Sequence, residues 1–229
     1  METVDDVMKE LQSKAKPESI KGMAKFAVVG DKRMGVSVPD MRKIAKAIGK
    51  NHPLALELWE TGVPEGMIVA GMVAEPDKLT EVEMENWVVD INSWDICDQV
   101  CMNLFEKTPF AEKKIFEWSF RDEEFVKRAS YALIACLAWH DKQAGDDQFI
   151  NYFPLLVAGS TDERNFVKKA VNWALRNIGK RNQNLNQEAI RVARQIKEID
   201  SKSARWIASD ALRELQSDKI QERLRKKGK

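Results

Sequence analysis

Two stretches of this chain repeat one another. Phe125-Val126-Lys127-Arg128-Ala129 returns 41 residues later as Phe166-Val167-Lys168-Lys169-Ala170. Tyr131-Ala132-Leu133 is echoed by Trp173-Ala174-Leu175, and a weaker echo opens at Trp206-Ile207-Ala208 and ends in Ala211-Leu212. A period of roughly 40 residues in a helical chain points to two-helix units of the HEAT type. Such a unit cannot bury its own apolar face, so neighbours stack into an α-solenoid whose concave side is lined by the second helices. The expectation is therefore an all-α chain, 1–229, forming one HEAT-like helical repeat domain with a basic concave face. An irregular helical bundle is the alternative. Residues 216–229, with Arg223, Arg225, Lys226, Lys227 and Lys229, read as a basic extension that frays into solvent.

The helical reading follows from apolar spacing and from its interruptions. Val4–Lys14 is amphipathic, Pro17 opens a helix through Val29, and Pro39 opens a basic one to Ile48 that Gly49 ends. Further helices are expected over 53–60, 64–74, 79–89, 93–105, 109–118, 122–138, 145–157, 162–178, 185–198 and 202–215. Gly30 to Val38 is the longest irregular stretch. No run alternates with a period of two, so no sheet is expected.

Composition narrows the class. At 44% hydrophobic and 32% charged residues, the profile is that of a soluble globular protein. Asp5, Asp6 and Glu10 occupy the start without an apolar run, which speaks against a signal peptide, and no stretch approaches a membrane span. Three cysteines (97, 101 and 136) make no disulfide framework, so a reducing, cytoplasmic location is expected, nucleoid-associated if the source is prokaryotic. Residues 1–100 carry 12 Lys and Arg against 18 Asp and Glu, whereas 101–229 carry 25 against 18. A basic C-terminal half is compatible with nucleic acid.

Ser93-Trp94-Asp95-Ile96-Cys97-Asp98 is the segment richest in chemistry. Trp94 and Asp98 are four apart and share a helix face, and Ser93 can cap that helix. An aromatic beside a carboxylate suits a cationic ring held by stacking and charge. The bland alternative is a packed Trp and an ion pair of Asp98 with Arg128. In the stacked repeats, Trp94, Asp98, Arg128, Lys169 and Trp173 are expected to form one strip. Trp59, Trp87, Trp118, Trp139 and Trp206 read as core or packing between repeats. Cys97, Cys101 and His140 lack the spacing of a metal site, so no metal and no cofactor is expected.

These residues, in this order, resemble the AlkD-like DNA glycosylases, the HEAT-repeat family of DNA alkylation repair. The resemblance runs from Gly22-Met23-Ala24-Lys25-Phe26 to Ala211-Leu212-Arg213. It is carried by Gly35-Val36-Ser37-Val38-Pro39-Asp40-Met41-Arg42, by Ser93 to Asp98, and by the two Phe-Val-Lys segments. It implies a monofunctional hydrolase that removes cationic N3- or N7-alkylated purines from double-stranded DNA without flipping the base. By resemblance Asp98 is the catalytic carboxylate, Trp94 and Trp173 are the cleft tryptophans, and Arg128 contacts the backbone near the lesion. Asn165 stands where active members carry an aromatic, and Ser37 where a basic residue is common.

Two basic clusters are candidate phosphate contacts. Lys32, Arg33, Arg42, Lys43 and Lys46 surround the irregular loop, and Lys127, Lys168, Lys169, Arg176, Lys180 and Arg181 belong to the repeating helices. The expected partner is alkylated duplex DNA bound by a monomer. The competing functions are a non-catalytic HEAT protein that binds damaged or distorted DNA, and a protein scaffold.

Overall fold

The structure, a computed structural model, describes residues 3–24 and 32–227. Among these residues every regular element is a helix. The expected helix from Pro17 through Val29 is described as far as Ala24; its remainder, with Gly30 and Asp31, lies outside the described residues. The chain divides into two compact units, Met1–Ala111 and Glu112–Lys229.

The first unit holds α1 (Val4–Ser13), α2 (Pro17–Ala24), α3 (Val38–Ile48), α4 (His52–Glu60), α5 (Pro64–Val73), α6 (Glu81–Asp90) and α7 (Trp94–Asn103). Its core helix is α5. Apolar residues occupy all sides of Pro-Glu-Gly-Met-Ile-Val-Ala-Gly-Met-Val, and nearly all of them are buried, as befits a helix with neighbours all round. It packs against α3, α4 and α7. Gly71 permits the approach to α7: a β-carbon there would lie 3.1 Å from a Val100 methyl. Trp59 of α4 stacks on Trp87 of α6, with ring centroids 4.1 Å apart, and its indole N–H donates to Asp90 at 2.9 Å. Local caps start three of these helices: Ser37 caps α3, Asn51 caps α4, and Thr80 with Glu83 forms a capping box on α6.

The second unit holds α8 (Ala111–Ser119), α9 (Glu124–His140), α10 (Asp146–Ile150), α11 (Phe153–Gly159), α12 (Asn165–Gly179), α13 (Gln183–Lys197), α14 (Lys202–Leu215) and α15 (Asp218–Lys227). The sequence echo is a physical register here. Helices α9, α12 and α14 are equivalent and lie side by side, with α13 behind α12 and α14. Phe125 meets Phe166 with centroids 5.3 Å apart. Asn177 donates to the Ala135 carbonyl at 3.0 Å, and Asn172 to Asp210 at 2.7 Å. Each pair joins adjacent repeats.

Two expectations are corrected. The helix foreseen over 145–157 is two helices, because Pro154 has no N–H to continue the ladder and its ring clashes with the preceding turn. The C-terminal extension, expected to fray, is helical over Asp218–Lys227. Ile220 and Leu224 are one turn apart and both buried, which anchors it.

Candidate functional site

In the first unit, α7 presents Trp94 and Asp98 one turn apart, both half-buried. Ile96, Cys97, Val100 and Cys101 point the other way and are fully buried. The cysteines are thus small core residues: all three in the chain are buried thiols, and no group of described residues is arranged to hold a metal ion.

The approach to α7 differs from expectation. Ser93 occupies the N-cap position but makes no capping bond. Its hydroxyl bonds the Asp95 carboxylate and accepts from Arg33 at 3.0 Å. Arg33 grips Asp95 in a two-pronged ion pair, at 2.7 and 2.8 Å, with its side chain 2% exposed. Arg33 is therefore corrected from a phosphate contact to a buried tether, since a planar guanidinium matched to a carboxylate surrenders that pair at high cost. Glu65 fixes the same loop from below, accepting the Gly35 amide at 2.9 Å and the Met34 amide at 3.1 Å. The start of α7 is held rigidly beneath Trp94.

Helix α3 carries three exposed cations, Arg42, Lys43 and Lys46. Arg42 and Lys46, four apart, line a cavity of about 370 Å³ with Lys50, Met72 and Asn103, and no carboxylate lines it. Lys50 is spent on structure: it donates to the carbonyls of Met72 and Ala74, where α5 ends. Lys43 pairs with Asp40 at 3.0 Å. Ser37, standing where a basic residue was expected, caps α3, a local reason for its presence.

In the second unit, Arg128 on α9 is 5% exposed and donates to the Phe166 carbonyl at 2.6 Å. Trp173 on α12 is half-buried. Lys127 pairs with Asp162 at 3.5 Å. Burial raises the Asp162 carboxyl pKa, but the Arg164 hydrogen bonds and the Lys127 charge outweigh it and hold the group below its ordinary value.

The basic residues expected along α12 divide in the same way. Arg176 bonds Glu214 at 2.6 Å and lies 3.5 Å from Asp210; Lys180 bonds Glu214 at 2.9 Å. Burial raises the Glu214 carboxyl, yet Lys180 and Arg176 together bring it below the usual range. Arg181 stacks on Phe149 at 4.0 Å and donates to the carbonyls of Leu137, Ala138, Asp141 and Ala144. These three make bonds between repeats: α14 sets its carboxylates opposite α12, and α9 leaves its last carbonyls unpaired by its own backbone. Lys169 is exposed, and Lys168 lies 5.2 Å above the Trp206 ring.

Trp59, Trp87 and Trp118 are buried as expected. Trp139 and Trp206 are not: they are 57% and 41% exposed. The signal was present for Trp206, which falls off the apolar stripe Ala204, Ile207, Ala208, Ala211 and Leu215.

A family model described as DNA alkylation repair enzyme matches residues 7–215. Among solved structures, one titled a new family of proteins related to the HEAT-like repeat DNA glycosylases with affinity for branched DNA structures superimposes with a TM-score of 0.80. It is 20% identical, over 97% of this chain and 96% of its own. That likeness shows the HEAT-like repeat fold. An engineered protein, at 13% identity over 94% of this chain and 99% of its own, and a designed armadillo repeat protein, at 13% over 91% and 99%, reach TM-scores of 0.46 and 0.39, too low to carry an argument. No functionally curated protein matches significantly.

Proposed function

Because the chain belongs to the DNA alkylation repair enzyme family, we propose that it is a monofunctional glycosylase. Its substrate on this reading is duplex DNA carrying cationic N3- or N7-alkylated purines, and it acts as a cytoplasmic monomer. The observation that carries the reading is the pairing of Trp94 with Asp98 on the half-buried face of α7, above a start locked by Arg33 and Asp95.

The chemistry asks for little more. Alkylation has already placed positive charge on the base, so the glycosidic electron pair returns to a leaving group that departs neutral. The sugar is left oxocarbenium-like. A carboxylate held near C1′ stabilises that charge and orients the water that adds there and gives up its proton. Asp98 is assigned that role. Trp94, one turn before Asp98, is assigned a contact with the deoxyribose that excludes bulk water; Trp173 has its role by resemblance alone. Arg128, buried and donating to the Phe166 carbonyl, is assigned to positioning: it holds α9 against α12 and does not itself reach the DNA.

Release of free N7-methylguanine from a defined duplex, under single-turnover conditions, tests this. Asp98→Asn keeps size but removes charge, so it should slow excision by about 10²–10³, with duplex affinity in filter binding unchanged or higher. An unchanged rate removes Asp98 from the mechanism.

A second reading keeps the binding of DNA and drops the chemistry. The protein related to HEAT-like glycosylases that has affinity for branched DNA structures offers a precedent for binding in this fold. On this reading the chain binds distorted DNA without excision. Tight, salt-dependent binding by the unmutated protein with no released base would select it.

A further inference from the structure

The second unit contains a cavity of about 460 Å³ where α9 and α12 end. Trp139, Lys142, Asp146, Lys180, Arg181 and Arg223 line it, four cations to one carboxylate. Asp146 is occupied, accepting from Asn182 and Asn184 at 2.7 Å each. Lys180 and Arg181 form the floor and are held by Glu214 and by the α9 carbonyls. Lys142 and Arg223 are exposed at the rim. Lys142 donates to the Trp139 carbonyl, and Arg223 to the Lys180 carbonyl at 3.1 Å. α15 carries Arg223 to this place because Ile220 and Leu224 anchor that helix.

Trp139 gives less than half of its surface to the packing of α9. A tryptophan contributes most to a fold by burial, and this one is 57% exposed at the mouth of a positively charged cavity. An inorganic anion would neutralise the cations and leave the indole wet. A purely apolar ligand would cover the indole and leave the cations unmatched. A ligand with a flat ring and a phosphate matches both, and the volume suits one such unit. Paired bases in a duplex offer no free face, whereas an unpaired base does.

We infer that this cavity takes one unpaired nucleotide of a DNA strand, its base stacked on the Trp139 indole and its phosphate between Lys142 and Arg223. The inference rests on the reading of the protein as DNA-binding, and it places a second contact away from α7.

The test compares a blunt duplex with the same duplex bearing a five-nucleotide single-stranded overhang, by fluorescence anisotropy at fixed salt. The unmutated protein should bind the overhang form about 5–100-fold more tightly, the range that one base–aromatic stack supports. Trp139→Ala should erase that advantage and leave blunt-duplex affinity unchanged; Trp139→Phe should restore most of it. Arg223→Gln should reduce it partly. Equal affinity of the unmutated protein for both forms overturns the inference, as does an equal loss on both forms in Trp139→Ala. Absence of binding to either duplex would instead refute the DNA-binding reading itself. Because Trp139 is exposed, an unchanged circular dichroism melt should accompany each variant.

Discussion

Helices α3 and α12 are both basic on paper, and the structure treats them in opposite ways. On α3, Arg42 and Lys46 line an open cavity without a carboxylate, and Lys43 reaches only to Asp40 on its own first turn. On α12 and its exit, Arg176 and Lys180 are met by Glu214, and Arg181 by the carbonyls of α9. The difference lies in the neighbours. Helix α12 has a successor in the repeat, and the successor carries Asp210 and Glu214 one turn apart, facing it. A basic residue between two repeats is therefore a fastener, and the same residue on α3 remains available to phosphate. Net charge over a stretch of sequence does not distinguish the two uses.

The contrast breaks most visibly at Arg181. Arg181→Ala should destabilise the protein by ~1–3 kcal/mol, because partly buried carbonyls at the end of α9 lose their donor, and urea unfolding measures it. Arg42→Ala should change the unfolding free energy by less than ~0.5 kcal/mol, as exposed substitutions do. If the two variants unfold alike, the distinction drawn here is wrong.

Binding sharpens the contrast from the other side. Replacing both Arg42 and Lys46 by alanine should flatten the dependence of log affinity on log salt by up to about 1.8, at about 0.9 per phosphate. Replacing Arg176 should change that slope little. Glu214→Gln should do the reverse of a loss: it releases Arg176 and Lys180, and duplex affinity should rise a few-fold at low salt, with a steeper slope.

The smallest effect is in acid. Glu214 titrates below its ordinary value of 4.5 in the folded protein. A depressed carboxyl contributes stability that is present above its unfolded pKa and is lost as pH falls through the folded one. Stability should therefore decline below roughly pH 4.5, and Glu214→Gln should remove its own part of that decline. A midpoint in Glu214→Gln that falls with acid as steeply as in the unmutated protein would show the carboxylate to be idle.

How much of this was legible beforehand depends on what each residue answers to. Helix starts answer to local chemistry, so Pro17 and Pro39 marked the openings of α2 and α3. The repeat answers to a long-range regularity that sequence displays directly, so the equivalence of Phe125 with Phe166 was visible. The pairing of Trp94 with Asp98 on one face followed from their spacing. The fate of Arg33 did not, because Asp95 lies 62 residues away and no periodicity links them. Ser93 misled for the same reason: its hydroxyl was free to cap in isolation, and a distant guanidinium claimed it. Trp139 was assigned to the core or to packing between repeats on residue type, although it stands in the last turn of α9 beside His140, Asp141 and Lys142.

The end of α9 has a consequence for how the protein is made. Its last carbonyls are closed by Arg181, 40 residues after Asp141. At the speed of a ribosome, roughly 5–20 residues per second, that donor follows after an interval of about 2–8 s. During that interval the nascent chain holds a helix whose final turn is open to water. Each module is thus completed by the one synthesised after it, and a chain halted between them would leave its last helix unfinished.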